Sequence, residues 1–198
     1  MEYIELSLES SKKIINDLAA YVRKVYDYDL VIFIAKGSYT IGDEFAKYNN
    51  VPLLRIFATR KGNKIKNFFS PFLKILPNKL SEILRKFEMN SNVHGKKSER
   101  EVKFDKEKWS KYKDKKRILL VDDSVDTGNS IILTKNEIQQ FFCEADVKVA
   151  ALNKFKKSEQ IVHVDFYKYE DTIIKGPWAN DSKEHAEFLK LYEKYIEV

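Results

Sequence analysis

Two adjacent carboxylates, Asp122 and Asp123, end the apolar run in the segment RILLVDDSVDTGNS, residues 117–130. Neighbouring carboxylates suit a sugar diol or a hard divalent cation, because they accept hydrogen bonds from hydroxyls and coordinate hard metal ions. Ligands of open α/β sheets bind at the carboxyl ends of strands, where this pair would lie. The segment therefore predicts a polar ligand site at the end of a strand.

The turn after the carboxylates predicts an anion site beside them. It contains Gly128 and opens a helix at Asn129 and Ser130. Backbone N–H groups of residues 126–130 would point at a ligand there, and the hydroxyls of Thr127 and Ser130 add two donors. Because the start of a helix also carries partial positive charge, we expect this turn to bind a phosphate.

Apolar patterns place this turn in a chain of alternating strands and helices. The run LVIFIA at 30–35 is continuously apolar, as in strands that are covered on both faces of a parallel sheet. We predict five strands in all, at 30–35, 51–57, 117–121, 147–152 and 162–167. Their alternation with helices predicts an α/β fold with a mainly parallel sheet flanked by helices.

The sequence predicts four helices around this sheet. The first carries its apolar face at Ile14, Leu18, Tyr21, Val22 and Val25. The second follows a loop within residues 36–48, the third covers 130–142, and the fourth follows a weak capping-box pattern formed by Asp181 and Glu184. We therefore expect helices before, between and after the strands.

Composition is that of a globular domain. The 198 residues are 43% hydrophobic and 33% charged, with one cysteine, and we interpret 1–198 as a single domain. One cysteine excludes an internal disulfide, and no window approaches the roughly 20 apolar residues of a membrane span. We expect a soluble, cytoplasmic protein without a membrane partner. The net charge of +6 suits either nucleic acid or a polyphosphate substrate.

Residues 60–116 break the α/β alternation. Residues 60–92 carry two short helical patterns, which predict a helical insertion whose apolar positions pack on the domain or on a partner subunit. The stretch SNVHGKKSEREVKFDKEK, residues 91–108, is polar and charged. It predicts a flexible lid at residues 92–116.

The segment 118–130 resembles the signature of the type I phosphoribosyltransferases: apolar residues, two acids, then an acid with Thr-Gly and a hydroxyl. The resemblance implies that Asp122 and Asp123 contact the ribose 2′ and 3′ hydroxyls of phosphoribosyl pyrophosphate (PRPP) and its Mg²⁺. It also implies that residues 126–130, including Thr127, Gly128, Asn129 and Ser130, hold the 5-phosphate. Ser124 replaces an apolar residue of the family pattern.

A second loop, Lys36-Gly37-Ser38-Tyr39, follows the strand at 30–35. It resembles the pyrophosphate-binding Lys-Gly-Gly-Tyr stretch of family members that act on hypoxanthine and guanine, with Ser38 in place of the second glycine. The resemblance implies that Lys36, Gly37 and Ser38 hold the departing pyrophosphate. It also makes the Lys36–Gly37 peptide bond a candidate for the cis geometry often found in this loop.

The residue type at position 126 indicates the class of base that acts as the acceptor. Orotate enzymes of the family tend to carry a small residue at this position, whereas 6-oxopurine enzymes resemble this chain in carrying Asp. The resemblance places Asp126 near purine N7, where its carboxylate would act as the catalytic base.

Residues 154–180 resemble the hood that covers the base in bacterial xanthine–guanine enzymes. Lys154 or Lys156 would donate to the oxygen at purine C6, and the spacing to the Pro-Trp pair that ends at Trp178 favours Lys154. Ile173 stands where those enzymes carry a stacking aromatic, and Ile174 follows it. This departure leaves a different acceptor open.

The resemblance implies a Mg²⁺-dependent transfer of ribose 5-phosphate from PRPP to a 6-oxopurine, giving a nucleoside monophosphate and pyrophosphate. We expect a homodimer or a higher homo-oligomer. Two alternatives remain: transfer to a non-purine acceptor, and a PRPP-sensing regulator that binds nucleic acid. We do not expect nucleic acid as a partner, because no nucleic-acid-binding motif occurs in the sequence.

Overall fold

The computed structural model describes residues 1–60 and 100–197. In these ranges the strands are β1 (Glu2–Glu5), β2 (Leu30–Ala35), β3 (Leu53–Arg60), β4 (Arg100–Lys103), β5 (Arg117–Val125), β6 (Asp146–Lys154), β7 (Phe166–Glu170) and β8 (Thr172–Lys175). The helices are α1 (Leu8–Val25), α2 (Tyr39–Asn49), α3 (Lys106–Ser110), α4 (Asn129–Phe141) and α5 (His185–Ile196), with a 3₁₀ helix at Lys156–Gln160. None of the helices in these ranges combines the length and apolar character needed to cross a membrane.

The main sheet has six strands in the order β4-β3-β2-β5-β6-β7. All neighbours are parallel except β3 and β4, which are antiparallel. This arrangement confirms the predicted α/β fold with a mainly parallel sheet. The central neighbours β2 and β5 pair in the register Leu30 to Ile118, so the loops that follow these two strands leave the sheet side by side.

Two apolar cores cover the two faces of this sheet. Alternate residues of β2 and β5, such as Phe33 and Leu119, pack with α1, α2 and α5 on one face. Their neighbours Ile32 and Leu120 pack with α3 and α4 on the other. Because every residue from Leu30 to Ile34 is buried, the strand is apolar throughout and does not alternate.

A second, two-stranded sheet was not predicted from the sequence. β1 pairs in parallel with β8, in the register Glu2 to Thr172 through Glu5 to Lys175. Lys175 is 2% exposed, and its ammonium lies 3.3 Å from Glu5 and 3.8 Å from Asp181. These contacts join the first strand of the chain to the predicted hood.

Several predicted boundaries are wrong. The strand predicted at 162–167 corresponds to β7, which begins only at Phe166. Val162 and Val164 precede this strand and pack against the core that contains Ile32. Tyr21 and Val25 are 58% and 59% exposed, so they lie outside the buried face of α1.

The capping box predicted for the C-terminal helix is also wrong. Glu184 is the N-cap residue of α5 without a side-chain cap hydrogen bond. Its carboxylate instead accepts a hydrogen bond from the Leu8 backbone N–H at the start of α1, so it joins two helices.

The insertion predicted at 60–92 and residues 92–99 of the predicted lid lie outside the described residues, apart from Arg60 at the end of β3. Within the predicted lid, residues 100–103 form β4 and residues 106–110 form α3. Trp109 on α3 is 1% exposed and stacks on Phe104 with ring centroids 4.1 Å apart. Apolar residues inside a charged stretch therefore hold this segment against the sheet.

Candidate active site

A cavity of about 270 Å³ opens where β2 and β5 end side by side. Eight of the predicted site residues line it: Gly37, Asp122, Asp123, Asp126, Thr127, Gly128, Asn129 and Ser130. The remaining six predicted residues do not line it: Lys36, Ser38, Lys154, Ile173, Ile174 and Trp178. The structure therefore gathers the predicted ribose-phosphate residues and Asp126 in one place, and leaves the predicted base-binding residues and two of the three predicted pyrophosphate residues outside the cavity.

The turn before α4 has the backbone shape of an anion site. Gly128 is the N-cap residue of α4, with φ of 79° in the left-handed region. A Cβ at Gly128 would lie 2.5 Å from Cγ1 of Val162, so the position requires glycine for both conformation and space. The Asn129 amide donates to the Thr127 hydroxyl over 3.0 Å. The first helical turn, residues 129–131, lines the cavity, and the N–H groups at the start of a helix are suited to bind an anion.

Asp123 meets the second loop directly. A Cβ at Gly37 would lie 3.3 Å from the carboxylate atoms of Asp123, so glycine allows the two loops to approach closely. Burial raises the pKa of the Asp123 carboxyl, although hydrogen bonds with Asp122, two backbone N–H groups and the Trp178 indole act in the opposite direction. The Asp123 carboxylate therefore gains from a ligand that supplies positive charge or donors.

The acids fit a magnesium ion that is shared with a substrate. Asp122 accepts the Asp123 backbone N–H at 3.0 Å through one oxygen. Within residues 1–60 and 100–197, no group of three or more His, Cys, Asp or Glu side chains could hold a metal. Mg²⁺ is commonly bound by one or two carboxylates with the remaining ligands from water and substrate phosphates, so two acids beside a phosphate cradle suffice.

The loop after β2 differs from the expected geometry by one residue. The cis peptide bond is Ala35–Lys36, so the prediction that Lys36–Gly37 is cis is wrong. Lys36 is exposed, whereas Ser38 is fully buried and its hydroxyl donates to the Ile34 carbonyl. The hydroxyl of Ser38 is therefore engaged inside the fold.

Asp126 has a partner that sequence reasoning missed. The Lys157 ammonium lies 2.5 Å from Oδ1 of Asp126. This oxygen is buried, so the Lys157 ammonium is the partner that balances its charge. The signal in the sequence is the pair Lys156-Lys157, which follows β6 after Phe155. The sequence-based prediction of a base contact included Lys156 but not Lys157.

The model of the phosphoribosyl transferase domain family matches residues 6–185 of this chain. The chain belongs to this family. It is a phosphoribosyltransferase of the type I fold, and the family implies PRPP and a base acceptor as its substrates. None of the curated protein sequences matches this chain.

Three solved structures show the same fold at low sequence identity. A purine phosphoribosyltransferase from Pyrococcus horikoshii has a TM-score of 0.61 and 18% identity, over 90% of this chain and 94% of that one. A hypothetical protein from Neisseria gonorrhoeae with bound ppGpp has a TM-score of 0.62 and 18% identity, over 98% and 97%. A Helicobacter pylori xanthine-guanine-hypoxanthine phosphoribosyltransferase has a TM-score of 0.63 and 14% identity, over 96% and 99%.

Lys154 of the phosphoribosyltransferase is held by acidic side chains. It is 7% exposed, and its ammonium pairs with Glu159 and, at 3.1 Å, with Glu170. It also lies 4.2 Å from the centroid of the Tyr167 ring. The hydrogen bond that Lys154 donates to Glu159 raises the pKa of Lys154, as do its hydrogen bonds with Glu170 and Tyr167, while burial acts in the opposite direction. Lys154 is therefore a charged lysine with its donors engaged.

The hood positions its predicted residues by packing. Ile173 is 6% exposed beside Tyr3 of β1, while Ile174 packs against the core that contains Phe33. A Cβ at Gly176 would lie 2.3 Å from the Trp178 ring, so the indole lies directly on this glycine. Trp178 reaches Asp123 through its indole rather than lining the cavity.

Asn153 connects the hood to the site, which the sequence did not reveal. It is fully buried at the end of β6, its amide donates to the Ser124 hydroxyl over 3.3 Å, and its oxygen accepts the Thr172 N–H at 3.2 Å. One side chain thus links β5, β6 and β8 behind the carboxylates.

Proposed function

We propose that this phosphoribosyltransferase transfers ribose 5-phosphate from PRPP to a 6-oxopurine base. The observation that carries the proposal is the position of Asp126, whose carboxylate lines the cavity beside the turn that binds phosphate. Oδ1 of Asp126 is paired with the Lys157 ammonium, so in this proposal the other carboxylate oxygen, Oδ2, takes the proton of the acceptor. Two of the similar structures are named as purine enzymes, and the acceptor class follows theirs.

Each part of PRPP has a matching part of the cavity in this proposal. The N–H groups of residues 126–130 bind the 5-phosphate, and Asp122 and Asp123 accept hydrogen bonds from the ribose hydroxyls. Lys36 and the backbone at Gly37 contact the pyrophosphate. Asp122 and Asp123 would hold Mg²⁺, which would supply positive charge to offset the charge of the leaving group.

The transfer forms one bond and breaks one. A purine nitrogen bonds to the ribose C1 atom, the bond from C1 to the pyrophosphate oxygen breaks, and the purine proton passes to Asp126. Pyrophosphate leaves with the electron pair of the broken bond. The residues contribute by holding the reactants in line and by stabilising charge.

Purine turnover tests this proposal. Purified protein with PRPP and Mg²⁺ is offered hypoxanthine, guanine and xanthine, and nucleoside monophosphate is measured by chromatography. We expect product with at least one base, and product formation slower by about 10²- to 10⁴-fold with Asp126→Asn. The proposal is wrong if PRPP binds in calorimetry while none of the three bases is converted.

A non-purine acceptor is the second candidate. Two observations favour it: Ile173 is a buried aliphatic residue where an aromatic is expected, and Lys154 is engaged by Glu159 and Glu170. A thermal-shift panel of purine and pyrimidine bases, each with PRPP and Mg²⁺, separates the two candidates. Stabilisation by a pyrimidine alone would replace the purine proposal.

A further inference from the structure

Two lysines near the acceptor side of the site are bound very differently. An ammonium has three N–H donors. Those of Lys154 meet two carboxylates and an aromatic ring, and its side chain is 9% exposed. Lys157 contacts Asp126 at 2.5 Å, and its side chain is 44% exposed. Lys157 therefore has donors that can reach a ligand, whereas those of Lys154 are already engaged.

The 3₁₀ helix that carries Lys157 is fixed to the phosphate turn. The Phe155 N–H donates to the Val125 carbonyl at 2.9 Å, and the Ser158 hydroxyl donates to the Phe155 carbonyl at 2.7 Å. The Val162 side chain and the Ser158 carbonyl lie on Gly128, at 2.5 and 3.4 Å from the place of an added Cβ. Lys157 is thus held over the turn by main-chain contacts that need no substrate.

An acceptor must lie beside Lys157 if it lies beside Asp126. The ammonium and the Asp126 carboxylate are in contact, so an acceptor nitrogen that gives its proton to Asp126 brings its neighbouring atoms to Lys157. An ammonium donates hydrogen bonds to oxygens and to anionic nitrogens. It accepts none, so a ligand that places an N–H donor beside it is disfavoured. The pair therefore discriminates among acceptors by the charge and hydrogen-bonding type of the edge next to the attacking nitrogen.

We propose that Lys157 is the specificity-determining residue of this enzyme, and that it selects acceptors carrying an oxygen or a negative charge on the edge that faces Asp126. Lys154 has a supporting role, since its charge is balanced by Glu159 and Glu170 inside the protein. This inference rests on the transferase reaction proposed at this turn. It differs from the family resemblance, which assigns the acceptor contact to Lys154.

Binding of reaction products tests the proposal without turnover. Calorimetry measures the affinity of ribose 5-phosphate and of the monophosphates of inosine, guanosine, xanthosine, uridine and orotidine for the full chain with Mg²⁺. The variants are Lys157→Gln, Lys157→Arg and Lys154→Gln. Lys168→Gln, an exposed lysine on β7, removes the same charge away from the site and is the matched control.

Loss of the Lys157 charge should weaken only the ligands that carry a base. We expect Lys157→Gln to lower the affinity of the tightest nucleoside monophosphate by roughly tenfold or more, the usual effect of losing a charged hydrogen bond. The affinity of Lys157→Gln for ribose 5-phosphate should equal that of the parent, because this ligand has no base and its phosphate binds at the turn. Lys157→Arg should recover part of the loss, and Lys168→Gln should match the parent.

The failures of the two proposals are distinguishable. If the parent binds only a pyrimidine monophosphate more tightly than ribose 5-phosphate, the purine proposal fails while Lys157 is still tested on that ligand. The Lys157 proposal is overturned if Lys154→Gln causes the loss and Lys157→Gln does not. It is also overturned if no monophosphate binds more tightly than ribose 5-phosphate.

Discussion

The two sides of the site are built in different ways. The phosphate side consists of backbone N–H groups, a left-handed glycine and carboxylates, which lie at the end of β5, in the turn after it and in the loop after β2. The proposed acceptor side consists of long side chains, Lys154, Lys157, Glu159 and Glu170. Lys154 pairs with Glu159 of the 3₁₀ helix and with Glu170 of β7, whereas Lys157 pairs with Asp126 of the turn. We propose that main-chain geometry binds the phosphate group and that exchangeable side chains choose the acceptor.

The largest effect should come from the residue at which the two sides meet. Asp126→Asn keeps the size of the side chain but removes the base, so we expect kcat to fall by about 10²- to 10⁴-fold. PRPP affinity, measured by calorimetry, should stay within a few-fold of the parent. Equal losses in both quantities would show that Asp126 belongs to the phosphate side alone.

A change of backbone on the phosphate side should reduce stability as well as binding. Gly128→Ala places a methyl group against Val162 at a positive φ, and such strain costs about 1–3 kcal/mol. We expect a lower free energy of unfolding in urea and weaker PRPP binding. Asn129→Ala, at the exposed next position, serves as control for stability, and an equally large loss there would contradict the argument from strain.

A change on the acceptor side should alter base recognition without altering PRPP recognition. Glu159→Gln removes one of the two charges that hold Lys154, which lets the ammonium reach a ligand. Because Glu159 is half exposed, we expect a decrease of about two- to fivefold in the KM for the acceptor. Steady-state kinetics with each substrate varied in turn measures the two KM values. A change in the KM for PRPP and not in that for the acceptor would contradict the assignment of Glu159 to the acceptor side.

The smallest expected effect is on stability and depends on pH. Burial raises the pKa of Asp123 in the folded protein, so ionisation of this carboxyl opposes folding. The protonated Asp123 carboxyl contributes fully to the free energy of unfolding below the ordinary pKa of about 3.9. This contribution is lost as the pH rises through the raised pKa of the folded protein. At pH 7, Asp123→Asn should therefore raise the Tm by about 2–4 °C, the shift expected for about 1 kcal/mol in a chain of this size.

The pH dependence is also the check on this prediction. The difference in Tm between Asp123→Asn and the parent should disappear as the pH falls below about 4, where the parent carboxyl is protonated in both states. A gain in Tm that is the same at pH 7 and at pH 4 would point to packing rather than to charge. Differential scanning calorimetry at both values measures it.

The sequence predicted the phosphate side closely because its parts are local. The apolar run into Asp122, the turn at Gly128 and the helix start at Asn129 are neighbours in the chain, so spacing alone defines their geometry. β2 matches the predicted bounds, 30–35, because a strand buried on both faces is apolar throughout.

The acceptor side was less predictable because its contacts join distant parts of the chain. Nothing in the residues around Lys154 indicates that Glu170, sixteen positions later, returns to pair with it through the parallel register of β6 and β7. Lys157 was overlooked because its significance depends on the 3₁₀ helix lying over Asp126. β1 was missed because a four-residue strand has too little pattern, and its partner lies at the other end of the sequence.

The pairing of β1 with β8 also sets the order in which the molecule is completed during synthesis. Glu2 pairs with Thr172, and at about 5–20 residues per second the first strand waits roughly 8–35 s for its partner to be made. During that time both edges of β1 present unpaired N–H and C=O groups. In a nascent chain, β2, β5 and the turn at Gly128 are therefore made before β1 can pair with β8 of the predicted hood.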